Sequence, residues 1–60
     1  MNYLRARKLQ SGDKVVAKDT GEIVKVTNIY NPACMPQPTI VIEGIGDKEG
    51  HGEWLHTEVK

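Results

Sequence analysis

The alternation of apolar and polar residues in the first half of the chain predicts a β-hairpin. Residues 14–18 are rich in β-branched side chains, as strands are, and residues 22–30 form a second and longer run of this kind. The intervening Asp19-Thr20-Gly21 is a turn sequence, because glycine adopts a positive φ at no steric cost. We therefore predict two antiparallel strands joined by a tight turn across residues 12–30.

The second of these strands changes face part of the way along its length. Val24 and Val26 share one face, whereas strict alternation places Ile29 on the other. A bend or β-bulge near Thr27-Asn28 would turn all three side chains toward one core. Sharply bent second strands turn the corners of small closed barrels, so the pattern favours a barrel over a flat sheet.

The second half of the chain alternates short apolar runs with turn-forming segments. Three prolines within residues 31–38 exclude a helix or a central strand there, so this segment is expected to be a loop. Residues 39–43 and 53–56 are predicted strands, and the glycine-rich residues 44–52 are predicted to be a loop between them. Residues 57–60 complete the pattern with a tight turn and a short final strand. The fold class expected is therefore all-β, a small five-stranded antiparallel barrel.

The strand assignments also predict which side chains form the core. Eight positions are expected to be buried: Val15, Ala17, Val24, Val26, Ile40, Ile42, Val59, and either Leu55 or Trp54.

Three stretches of the chain resemble SH3-like small β-barrels. They are Gly12-Asp13-Lys14-Val15-Val16, the run from Gly21 to Val26, and the run from Gly52 to Val59, which resembles the last strands with their intervening 3₁₀ turn. The resemblance covers roughly residues 9–59 and implies a five-stranded SH3-like barrel. In size and style the chain is also similar to small proteins encoded by phages and prophages.

The first half also resembles a KOW-type motif, in which G-D-x-V is followed by G-x-x-V. That resemblance implies binding to RNA or to the ribosome. Only four residues separate Val16 from Gly21, however, where a KOW motif has a basic loop. We therefore expect this chain to share the strand arrangement of the KOW-type motif but not its binding to RNA or the ribosome.

The charge of the chain is balanced overall but uneven along its length. Eight basic and eight acidic side chains give a formal net charge of zero, so no overall field attracts nucleic acid. Residues 1–10 nevertheless carry Arg5, Arg7 and Lys8 and no acid. We interpret residues 1–11 as a basic N-terminal arm and residues 12–60 as the barrel. The arm offers an alternative function, weak nucleic-acid binding through phosphate contacts by its three basic residues.

Length and cysteine content limit the class of protein. Sixty residues make one domain of marginal stability, which has little binding energy for a deep substrate cleft. The single cysteine, Cys34, excludes an internal disulfide and favours a reducing compartment, so we expect a cytoplasmic protein. No apolar run approaches the ~20 residues needed to span a bilayer, and no membrane partner is expected.

Residues with catalytic or metal-binding chemistry are few. Cys34 with His51 or His56 is the one nucleophilic pair available, but no third group that could orient the histidine stands at a recognisable spacing. The same three residues are the only soft metal ligands, and a structural zinc site needs a fourth. The segment from Asp47 to Glu58 matches the spacing of a calcium loop, but its ligand types and its flanking strands do not fit. We therefore expect no enzyme activity, no metal and no cofactor.

The apolar residues that remain outside the predicted core suggest a binding surface. Methionine between prolines gives an adaptable contact on a stiff frame, and tryptophan is a frequent anchor at interfaces. The expected partner-binding residues are Tyr30, Met35, Pro36 and Trp54. The sequence thus predicts a small non-catalytic module that binds another protein through its proline-rich loop and an aromatic rim. A further alternative is a homo-oligomer with a structural role, formed by pairing of edge strands.

Overall fold

A computed structural model describes all of residues 1–60 and contains one antiparallel sheet. Its elements are α1 (Tyr3–Ala6), β1 (Lys14–Val16), β2 (Ile23–Tyr30), β3 (Val41–Gly46), β4 (Gly50–Leu55) and a 3₁₀ turn (His56–Glu58). The strands lie in the order β1-β2-β3-β4, each hydrogen-bonded to its neighbour in the chain. The predicted all-β class is confirmed. No helix in the structure has the length and apolar character needed to cross a membrane.

The first hairpin forms where the sequence predicts it. Lys14 pairs with Lys25, and Val16 pairs with Ile23. Gly21 has a φ of 72°, in the left-handed region that favours glycine, and its N–H donates to the carbonyl of Ala17 at 2.8 Å.

The predicted irregularity in the long second strand is confirmed. The register with β3 shifts between Val26 and Asn28, so that Thr27 is an extra residue on β2. As a result Val24 and Val26 are buried, and Ile29 also packs against the core.

The core agrees with the sequence prediction at seven positions and adds one. Its buried members are Ala6, Val15, Ala17, Val24, Val26, Ile40, Ile42 and Val59. Ala6 is the addition, because α1 turns its methyl group into the interior with no exposed area. Leu55 and Trp54 are each only half-buried.

The predicted glycine-rich loop at residues 44–52 is mostly strand. Gly44 and Gly52 face each other across β3 and β4, and only residues 47–49 form the turn. A Cβ placed on Gly44 would lie 2.6 Å from the carbonyl oxygen of Lys25 on β2. Glycine is therefore needed at position 44 because the backbones approach closely, and the prediction of a loop across residues 44–52 was wrong outside the turn.

The N-terminal segment contains a short helix that packs on the core. The Asn2 side chain accepts a hydrogen bond from the N–H of Arg5 at 2.8 Å and so caps α1, as asparagine does at helix starts. Met1, Tyr3 and Leu9 pack against the core. The segment thus contains one helical turn at Tyr3–Ala6, and three of its apolar side chains hold it against the sheet.

The final strand expected at residues 57–60 is a single bridge, between Ala17 and Val59. Glu58 accepts a hydrogen bond from the N–H of Leu55 at 3.0 Å, which holds residues 56–58 in a 3₁₀ turn. Residues 58–60 make only a few hydrogen bonds to residues 16–18 and form no further strand, so the structure has a sheet of four strands where the sequence predicted five.

Candidate protein-binding surface

One face of the sheet carries a row of larger side chains at the end nearest the proline-rich loop. Tyr30, Val41 and Leu55 stand opposite one another on β2, β3 and β4, so they share a face. Tyr30 is 40% exposed, and its hydroxyl donates to Oε2 of Glu53 at 2.7 Å. This hydrogen bond, with burial and the nearby carboxylates of Glu53 and Glu43, raises the pKa of Tyr30 above its ordinary value.

The proline-rich loop continues this row at its β4 end. Met35 is 42% exposed, and together with Pro36 it lines a shallow groove of about 250 Å³ between the loop and the 3₁₀ turn. Leu55 lines the same groove. Tyr30, which shares a sheet face with Leu55, and the groove residues Leu55, Met35 and Pro36 are together named the loop-rim surface.

Trp54, the fourth predicted partner-binding residue, lies on the opposite face. It pairs in register with the core residue Ile42, and its indole covers Gly52, where an added Cβ would lie 3.1 Å from the ring. The structure thus places Met35 and Pro36 in one groove with Leu55, places Tyr30 on the same sheet face as Leu55, and separates Trp54 from all of them. Strand alternation alone would have shown that Leu55 and Trp54 point to different faces, but the sequence pattern left open which of them enters the core.

The three basic residues of the N-terminal segment remain accessible. Arg5, Arg7 and Lys8 are all exposed. The guanidinium carbon of Arg7 lies 5.7 Å from the ring centroid of Tyr3, a distance typical of a cation–π contact. Arg7 and Lys8 also line a small depression beside the exposed Leu4.

A buried carboxylate, Glu22, is a residue that sequence reasoning missed. Its side chain is 1% exposed, and its Oε2 accepts hydrogen bonds from the N–H groups of Lys48 and Glu49 at 3.2 Å each. The Thr20 hydroxyl donates to Oε1 at 3.2 Å. Gly46 leaves the space that the carboxylate occupies, since an added Cβ there would collide with Oε2. From sequence alone, a glutamate beside a turn is expected to be solvated. Its burial becomes apparent only when the turn after β1 packs against the turn after β3.

The environment of Glu22 favours its ionised form. Burial raises the pKa of this carboxyl group, but the N–H groups of Glu49 and Lys48, the Thr20 hydroxyl and the charge of Lys48 outweigh it. The net result is a pKa below the ordinary value.

The cysteine and histidines occupy unrelated settings. Cys34 is exposed in the proline-rich loop, and His51 is exposed on β4. His56 is buried, where its Nδ1 accepts the N–H of Ile40 at 3.2 Å and its ring meets Tyr3 edge-on at 5.9 Å. No group of three or more His, Cys, Asp or Glu side chains is arranged to hold a metal ion.

Comparison of the chain with protein-family models, curated proteins and solved structures gave no match.

Proposed function

We propose that this chain is a small non-catalytic module that binds another protein through the loop-rim surface. The observation that carries the proposal is the exposed Met35, held on a loop with three prolines next to the half-buried Leu55. Proline stiffens the backbone, so less conformational entropy is lost when the loop is fixed by a partner. Methionine adapts to an irregular apolar contact.

The open shape of the loop favours a protein partner over a small molecule. Two grooves border Met35 and Pro36, one of about 250 Å³ that includes Leu55 and one of about 380 Å³ within the loop itself. Both are open to solvent, whereas small-molecule sites enclose most of the surface of their ligand. Exposed apolar side chains that are joined in one patch are typical of contact surfaces between proteins. A short apolar segment of the partner, lying across Leu55 and Met35 with Tyr30 at its end, fits these dimensions.

An SH3-like barrel with a fifth strand is part of the same proposal. The Ala17–Val59 bridge supports it, together with the bonds from Lys18 N–H to the Glu58 carbonyl and from Lys60 N–H to the Val16 carbonyl, each 2.9 Å. These contacts would join the chain's end to β1 and close the sheet. Protection of the Lys18 and Lys60 amide protons from solvent exchange, comparable to that of β2 amides, would support closure, and rapid exchange would contradict it.

The single cysteine provides a direct test of the loop-rim surface. A photo-activated cross-linker attached to Cys34 should form a specific adduct in a cell extract, because the thiol is exposed beside Met35. Met35→Asp should abolish that adduct without unfolding the protein, since Met35 lies outside the core. The matched control carries the label at Lys14→Cys in a Cys34→Ser background, on an exposed position of β1. Equal labelling from both positions, or an adduct that Met35→Asp leaves unchanged, would contradict the proposal.

A second candidate function is weak nucleic-acid binding. The exposure of Arg5 in α1, and of Arg7 and Lys8 directly after it, favours it, because three cations lie within four residues of one another. Three phosphate contacts would give a weak and steeply salt-dependent association. A mixed pool of DNA and RNA should shift at low salt with the wild-type chain and fail to shift with Arg5→Ala/Arg7→Ala. No shift with the wild-type chain removes this candidate.

A further inference from the structure

The outer edge of β4 has no partner within the chain. β4 is the last strand of the sheet and pairs only with β3. None of the 13 backbone hydrogen bonds outside the helices and strands involves a residue of β4. The segment Gly50–Leu55 also contains no proline or lysine, the residues with which proteins commonly protect an edge strand. Its edge is therefore open to pairing with another strand.

The orientation of the backbone identifies the groups that this edge presents. Along an antiparallel strand, successive residues turn their N–H and C=O alternately toward and away from the neighbouring strand. The N–H of Leu55 points away from β3, because it donates to Oε1 of Glu58. The register of β4 with β3 is continuous, so His51 and Glu53 have the same orientation as Leu55. These two residues present unpaired N–H and C=O groups at the edge.

We propose that a second copy of this chain occupies this edge, with the two β4 strands antiparallel about a two-fold axis at Gly52. In that register His51 of one copy stands opposite Glu53 of the second copy. Both residues turn their backbone groups outward, so each opposed pair exchanges two hydrogen bonds, and the symmetry makes four in total. The imidazole N–H of His51 can also donate to the opposing carboxylate, whose Oε1 accepts no hydrogen bond within its own chain.

The side chains favour this register over its neighbours. Trp54 is placed opposite Gly50 of the second copy, where the absence of a side chain leaves room for the indole. A two-fold axis at Glu53 would oppose two glutamates directly, and an axis at His51 would oppose Glu53 to Glu49. Like charges that face each other across strands are destabilising. The sequence of β4 is thus self-complementary in charge and in size about one position.

The dimer is expected to be weak. The contact is limited to one short strand per copy, and small interfaces form transient associations. Dissociation constants in the range from about 10 μM to about 1 mM are expected for such contacts.

Sedimentation equilibrium of the full chain tests the proposal. A dilution series reaching about 1 mM should show a monomer–dimer equilibrium in the wild type. His51→Glu opposes two glutamates at both symmetric positions and should weaken the dimer about tenfold or more, as should Glu53→Lys. The double variant His51→Glu/Glu53→Lys opposes Glu to Lys and should restore affinity to within about threefold of wild type. The matched control is Glu43→Lys, the same charge change one strand inward from the edge.

Three outcomes would overturn the proposal: a wild-type monomer at every concentration, a dimer that both single variants leave intact, or a double variant that fails to recover. A measurement without substitutions guards against unfolded variants. The His51 and Glu53 amide protons should become protected from solvent exchange as the concentration rises, and unprotected amides at the highest concentration would equally refute pairing. Cross-linking from Cys34 to a different protein is independent of this result, so the two proposals fail separately.

Discussion

Replacing Gly44 with alanine tests the close approach of β2 to β3. The added Cβ would lie 2.6 Å from the carbonyl oxygen of Lys25 and 2.7 Å from Cγ1 of Val24. Comfortable C···O contacts between strands are about 3.3–3.6 Å, so the two backbones would have to separate by about 0.7 Å. Gly44 does not have a positive φ, and the effect of the substitution is therefore one of space alone.

The expected loss of stability follows from these contacts. Inserting a methyl group into a well-packed site costs about 1–3 kcal/mol, and the upper part of that range applies because a backbone carbonyl cannot rotate away. Alanine also restricts the unfolded chain, which offsets about 0.4–1 kcal/mol. The net decrease in the free energy of unfolding is about 2 kcal/mol, which corresponds to a fall of about 8–16 °C in Tm for a domain of this size.

Thermal and urea unfolding followed by circular dichroism measure this difference. Gly52→Ala is the matched control, since Gly52 faces Gly44 across β3 and β4 and its added Cβ would meet only the Trp54 ring, at 3.1 Å. That ring is half-buried beside a cleft and can shift, so we expect a loss of about 1 kcal/mol or less. If Gly44→Ala were no less stable than Gly52→Ala, the inferred approach of the two backbones would be wrong.

Three further predictions concern Glu22, Tyr30 and the core. Because the folded pKa of Glu22 lies below its unfolded value, its contribution to stability is present above the unfolded pKa and is lost as pH falls through the folded pKa. Urea unfolding from about pH 7 to about pH 3 should show this loss, and Glu22→Gln should be less stable at neutral pH with a shallower acid dependence. The phenol of Tyr30 should titrate above 10.0 in an ultraviolet absorbance titration, and Glu53→Gln should move it back down; an unchanged titration would contradict the hydrogen bond. Ile42→Ala, at a fully buried site, should lower the free energy of unfolding by about 2–4 kcal/mol in the same urea assay, and a smaller effect would contradict its central position.

The fold was predictable from sequence wherever a face had to be buried. The bend of β2 follows from the positions of Val24, Val26 and Ile29, because only an irregularity brings all three to one side. The strand character of Gly44 and Gly52 was not predictable, because glycine in a loop and glycine at a close backbone approach look alike along the chain. Only the distance to β2 distinguishes them.

The candidate surface was predictable in part. Tyr30 and Met35 were recognised because few large apolar side chains remain once the core is assigned. Trp54 was grouped with them by residue type, yet its register with Ile42 directs it to the other face. The place of Leu55 in the groove depends on how the 3₁₀ turn packs, and the burial of Glu22 depends on how the two strand turns pack. No local sequence pattern predicts that packing.

The carboxylate of Glu22 has a consequence for how the chain folds. It joins the turn after β1 to the turn after β3, across 26 and 27 residues of sequence. Neither turn has its full set of hydrogen bonds until the other is in place, so the first hairpin gains this part of its stability only after the chain has closed a long loop. We therefore expect the Lys48 and Glu49 amides to exchange with solvent at the same rate as the amides of the first hairpin. Equal rates would show that the two turns open as a single cooperative unit, although they belong to opposite halves of the chain.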